Sequence, residues 1–66
     1  MGYKLKEARV HARMTQEELA KASGVSRVTI SQIEQGKATD VLFGTLKKLA
    51  SALNVPIDEI FFDESA

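Results

Sequence analysis

The sequence has no cysteine, a single histidine, a single proline and only four aromatic residues, and its formal net charge is zero. Without cysteine, neither a disulfide framework nor a thiolate metal site can form, which fits a reducing compartment. His11 stands alone, with no second His and no Cys, so no metal site is expected there and no nucleophilic constellation is evident. No apolar run approaches the ~18 residues that a membrane-spanning helix needs. The opening stretch MGYKLKEARV is charged and lacks the apolar core of a signal peptide. These absences predict a soluble cytoplasmic protein that is not an enzyme, with no cofactor, metal, membrane or small-molecule ligand. The 66 residues are enough for one domain, 1–66. A chain of that size buries only ~60% of its unfolded surface, so its stability margin is thin.

Zero net charge does not announce a nucleic-acid binder, since such domains are often strongly basic. The distribution says more. Residues 1–13 carry Lys4, Lys6, Arg9 and Arg13 against Glu7, while residues 58–64 carry Asp58, Glu59, Asp63 and Glu64 with no base. Acid is gathered at the C-terminal end, and a basic surface elsewhere remains open to the rest of the chain.

There is no repeat, low-complexity segment or linker, and the β-branched residues show no sustained alternation, so no strand is predicted. Apolar residues recur instead at three and four. The chain is read as all-α and compact, with five helices at about 3–12, 16–23, 27–35, 42–53 and 57–61. Leu5, Ala8 and Met14 supply the apolar contacts of the first. TQEE at 15–18 is a capping box, in which Thr15 accepts from the amide of Glu18 and the Glu18 side chain reaches back. Leu19, Ala20 and Ala22 face inward, and Gly24 ends the second helix. Ser26 is a good N-cap for the third. Ile30 and Ile33 form its narrow buried stripe, and Gly36 terminates it. Only SGV separates the second and third helices, which matches the helix-turn-helix pattern. In the fourth, Leu42, Leu46, Leu49, Ala50 and Leu53 keep the helical spacing, with Thr39 or Asp40 near its N-cap. Gly44 there either permits close packing or marks a later start. Pro56 opens the fifth, with Ile57, Ile60 and Phe61 as anchors.

The third helix has an unusual outer face. Around Ile30 and Ile33 lie Arg27, Val28, Thr29, Ser31, Gln32 and Gln35, where a merely solvated face would carry Glu and Lys. MTQEELAKASGVSRVTISQIEQGK closely resembles the helix-turn-helix core of the lambda-repressor-like, Cro/cI or XRE-type DNA-binding domains. Gln16, Leu19-Ala20, Gly24-Val25-Ser26, Ile30, Ile33-Glu34 and Gly36-Lys37 carry the resemblance, and LKKLASALNVPIDEIF is similar to that family's fourth and fifth helices. The resemblance covers residues 4–61. It departs at ATDVLFG, where an Asn-Pro-Ser-like connection is usual; here the connection is one residue longer and has no proline.

The resemblance implies a sequence-specific DNA-binding regulator with its third helix in the major groove. Arg suits guanine, Gln suits adenine and an apolar group suits the thymine methyl. Arg27, Val28, Thr29 and Gln32 are therefore the expected base readers, with Ser31 peripheral. Gln16, Ser26, Lys37, Arg13 and Thr39 are the expected backbone contacts, Ser26 serving equally as a cap and Lys6 being weaker. Lys47 and Lys48 read as a solvated face. Arg9 and Glu34 are expected as a structural ion pair between the first and third helices. Double-stranded DNA is the expected partner, bound as a homodimer through Phe61, Phe62, Val55 and Ile57, with Leu42 or Phe43 added. Phe61 equally suits its own core. The implied role is a repressor acting at a palindromic operator. A restriction–modification controller, an antitoxin-type autoregulator, or an interaction module that has lost DNA binding are the alternatives.

Overall fold

The structure is a computed structural model that describes residues 2–38 and 41–62. It contains four α-helices: α1 (Leu5–His11), α2 (Gln16–Ser23), α3 (Arg27–Glu34) and α4 (Phe43–Leu53). Three elements depart from the expectation. In place of a fifth α-helix there is one 3₁₀ turn, Ile57–Glu59. Two short strands, β1 (Gly2–Tyr3) and β2 (Phe61–Phe62), also pair antiparallel, with Tyr3 opposite Phe61. Tyr3 therefore precedes the first helix rather than opening it, and Phe61 lies beyond the last turn.

Local sequence chemistry sets the helix ends. Thr15 caps α2 with a complete capping box: its hydroxyl accepts from the Glu18 amide at 3.0 Å, and the Glu18 carboxylate accepts from the Thr15 amide at 2.8 Å. Gly24 follows α2 in the left-handed conformation, φ 75°, as its amide bonds back to the Ala20 carbonyl. Ser26 caps α3 through the Thr29 amide at 3.1 Å. Leu42, not Thr39 or Asp40, is the N-cap of α4, and its side chain makes no capping bond; residues 39 and 40 lie outside the described residues. Gly44 is the second residue of α4, so the helix does not start beyond it, and a Cβ there would meet nothing within 4 Å, so close packing does not require glycine either.

α2 packs against both α3 and α4, α1 against α3, and the 3₁₀ turn against α4 and β2. Leu5, Leu19, Val25, Ile30, Ile33, Leu46, Leu49, Ala50, Leu53 and Ile60 fill the space between them. Full burial of a Leu or Ile side chain is worth ~1.5–3 kcal/mol, so this cluster is the main source of stability. Ala8, Met14 and Ala20 pack at its margin. Ala22 and Leu42 are corrections, since both are exposed. Ala22 lies on the outer side of α2, and Leu42 precedes the first turn of α4, so neither position reaches the core.

Candidate nucleic-acid interface

The α2–α3 unit holds the candidate site. Val25 in the connection is buried, which pins the turn to the core. Ile30 and Ile33, at 0% and 2% exposure, anchor α3 from beneath. With that inner stripe fixed, the helical period turns Arg27, Val28 and Gln32 outward, and all three are exposed. Thr29 and Ser31 sit half-buried at the edges. Among the described residues Arg27 makes no ion pair and no hydrogen bond, so its guanidinium is available to a ligand. Val28 is 66% exposed, an apolar group on an otherwise polar face. A shallow depression of about 270 Å³ runs between Gln16, Arg27, Val28, Ser31 and Gln32. Gln16 and Arg27 also border an adjacent hollow with Arg9, Thr15 and Glu17.

The hydroxyls on this face are partly engaged. The Ser26 hydroxyl donates to Thr29 Oγ1 at 2.9 Å while accepting from the Thr29 amide. It is thus a cap, and contacting a ligand would compete with that role. The Gln35 amide donates to Ser31 Oγ at 2.8 Å. Lys37 is exposed just beyond α3, where its amide donates to the Gln32 carbonyl at 3.0 Å.

A second layer ties three helices together. The Arg9 guanidinium donates from Nε to Glu34 Oε2 at 2.7 Å, from Nη2 to Glu34 Oε1 at 3.0 Å and from Nη1 to the Met14 carbonyl at 2.7 Å. The Arg9 and Glu34 side chains are 12% and 4% exposed. Burial works against the Glu34 carboxylate. The hydrogen bonds from Arg9 and Gln16 and the charges of Arg9 and Lys6 outweigh it, holding its pKa below the ordinary carboxylate value. The hydrogen bond to Glu34 in turn raises the pKa of Arg9, against the effect of burial.

Gln16 joins this layer unexpectedly: its Nε2 donates to Glu34 Oε1 at 3.1 Å. One of its two N–H groups is therefore committed inside the protein. Arg13, a candidate backbone contact, is exposed in the left-handed region at φ 60°, two residues past the end of α1. No local signal in the sequence marks that conformation, since Gly or Asn would be the usual choice. Thr39 lies outside the described residues, as does the Phe62 side chain.

The other residues expected at a dimer surface sit elsewhere than fully exposed. Val55, Ile57 and Phe61 are partly buried against the chain's own core, and the Phe61 ring tilts against Tyr3 with centroids 5.7 Å apart. Among the described residues, Leu42 and Phe43 are exposed large apolar side chains, at 74% and 66%.

A sequence model of the helix-turn-helix family matches residues 5–60. The chain belongs to the helix-turn-helix family, in its Cro/cI or XRE type. Among helix-turn-helix relatives, an uncharacterized HTH-type transcriptional regulator of Archaeoglobus fulgidus is 46% identical over 65 residues, covering 97% of this chain and 90% of that protein. The uncharacterized HTH-type transcriptional regulator RghRB of Bacillus subtilis is 42% identical over 59 residues, 89% of this chain but 42% of that protein. The HTH-type transcriptional repressor RghR of the same organism is 39% identical over 61 residues, covering 92% of this chain and 45% of that protein. The chain thus spans less than half the length of the two Bacillus relatives and nine-tenths of the archaeal one. Among the described residues, no helix is long and apolar enough to cross a membrane.

Proposed function

We propose that this helix-turn-helix chain is a sequence-specific DNA-binding transcriptional regulator that seats α3 in the major groove. The observation that carries the proposal is the division of α3: two isoleucines hold it to the core while Arg27, Val28 and Gln32 stand outward together. That set combines a bidentate donor for guanine, an apolar contact for the thymine methyl and an amide for adenine. Thr29 supplements it from the edge. Gln16, Lys37, Arg13 and Thr39 are the proposed backbone contacts, with Ser26 contributing where its cap allows. Arg9 and Glu34 form an ion pair within the protein and are not proposed to touch DNA, since both are engaged with each other and are mostly covered.

The proposed action is repression at a palindromic operator by a cytoplasmic homodimer, one α3 per half-site. The name of the repressor RghR supports the sign of that action. The proposed interface is the C-terminal end, where Val55, Ile57 and Phe61 keep part of their surface exposed, with Phe62 proposed beside them and exposed Leu42 and Phe43 as further apolar area. Restriction–modification control and antitoxin autoregulation are variants of the same chemistry.

The test is selection of bound duplexes from a randomised DNA pool, repeated with Arg27→Ala. The expected result is an inverted repeat, with Arg27→Ala losing preference at one guanine per half-site. Absence of any enrichment at low salt, where phosphate contacts are strongest, would overturn DNA binding and leave a protein-interaction role.

A further inference from the structure

We propose that Glu34 is a positioning residue for DNA binding, whose carboxylate holds the Gln16 side-chain amide so that its second N–H is presented to a backbone phosphate. The inference rests on the DNA-binding role proposed above and adds a residue that never touches DNA. The Glu34 side chain is only 4% exposed, so it cannot reach a ligand itself. Its Oε1 nevertheless accepts from both Arg9 Nη2 and Gln16 Nε2.

A carboxylate only accepts hydrogen bonds, so the end of the Gln16 amide that faces Glu34 must be its NH₂. A flipped amide would set carbonyl against carboxylate. One N–H is thereby satisfied, and the other projects from the same nitrogen. Gln16 lines both depressions beside Arg27, so this free donor belongs to the face that α3 presents. A phosphate oxygen is also only an acceptor, and the held amide needs no reorientation to meet it. A glutamine already fixed in place loses little rotamer freedom on binding, whereas a free one loses most of it.

Arg9 completes the support. It grips both carboxylate oxygens of Glu34 and the Met14 carbonyl, so Glu34 cannot swing away. The ordering therefore runs from α1, through the last residue of α3, to the first residue of α2. Each step is a hydrogen bond of 2.7–3.1 Å.

The experiment is a phosphate-by-phosphate footprint on the selected operator, in which single phosphates are replaced by methylphosphonate. In the wild-type protein, one substitution per half-site is expected to weaken binding about fivefold through Gln16, the equivalent of one net hydrogen bond. Gln16→Ala should become insensitive at that phosphate. Glu34→Gln offers one accepting oxygen instead of two, and Glu34→Asp withdraws the carboxylate while keeping its charge for Arg9. Both should lose sensitivity at the same phosphate and keep it elsewhere. A purely structural Glu34 would instead weaken every phosphate contact evenly or leave that phosphate sensitive, and either result overturns the inference. The wild-type protein gives a reading that needs no variant. Of the two Gln16 side-chain amide protons, one should keep its hydrogen-bonded shift when operator is added while the other moves. Movement of the Glu34-bonded proton to a solvent-like shift also overturns it. A wild-type protein with no footprint at all removes the DNA-binding proposal itself.

Discussion

α3 and α4 are both amphipathic, yet they divide their surfaces differently. α3 buries two of its eight residues and shows hydroxyls, amides, a valine and one arginine outside. α4 buries four of its eleven, and its exposed residues include Lys47, Lys48 and Ser51, with Leu42 and Phe43 uncovered at its start. The thinner stripe of α3 is the informative one. α1 and α2 both pack on α3, and Arg27, Val28 and Gln32 are left fully outward. In α3, the buried stripe and the proposed DNA-reading residues occupy opposite sides of one element. In α4 the buried stripe is wider, and Lys47 and Lys48 stand on the solvated side.

The strongest way to break this comparison is to truncate the buried side of each helix. Ile30→Ala and Leu49→Ala should each cost about 2–5 kcal/mol of folding stability, measured by urea unfolding. A loss below 1 kcal/mol for Ile30→Ala would mean that α3 is not held by its stripe. Next, Glu34→Ala should cost about 3 kcal/mol by stranding Arg9, a group that is only 12% exposed. The Glu34 pKa is depressed in the folded state, so its contribution is present above the unfolded carboxylate value of about 4.3 and is lost as pH falls through the lower folded value. Stability curves of wild type and Glu34→Gln should therefore separate near neutrality and converge in acid. A separation that persists unchanged to low pH would show that the ionised carboxylate contributes nothing.

The outer faces supply a sharper contrast. Arg27→Ala should leave stability within about 0.5 kcal/mol while costing about 1–3 kcal/mol of discrimination at one base pair, read from operator variants. Lys47→Ala should change neither. Equal losses of discrimination from the two would erase the distinction between the helices. The smallest effect concerns the first turn of α4. Gly44→Ala should stabilise by roughly 0.5 kcal/mol, because the site is open and glycine is a poor helix former. Destabilisation by thermal unfolding would mean that the turn needs glycine after all.

Features governed by neighbours in sequence were legible in advance. Thr15 with Glu18, Gly24 and Ser26 each act within four residues, so their roles follow from residue type and spacing. The outward set on α3 was legible for the same reason, once Ile30 and Ile33 fixed its rotation. Features made by distant partners were not. Gln16 lies 18 residues from the carboxylate that holds it. A two-residue strand has no periodicity to detect, so β1 and β2 exist only by virtue of each other. The spacing of Leu42 points it inward, but the helix begins one residue later and the stripe does not extend back to it. The Arg9–Glu34 pair crosses 25 residues and was expected only through family resemblance, since no local pattern encodes it.

The pairing of β1 with β2 has a consequence for how the protein comes off the ribosome. Leu5 is 1% exposed and Ile60 is fully buried, and the Lys4 amide bonds to the Ile60 carbonyl at 2.9 Å. The first helix therefore waits for a segment made more than fifty residues later before its own hinge to the core is closed. Until residues 60–62 have cleared the exit tunnel, the nascent chain carries an unlatched α1. Translation time, set by ~5–20 residues per second, places a floor under the age at which a newly made copy can first hold α1 steady against the core.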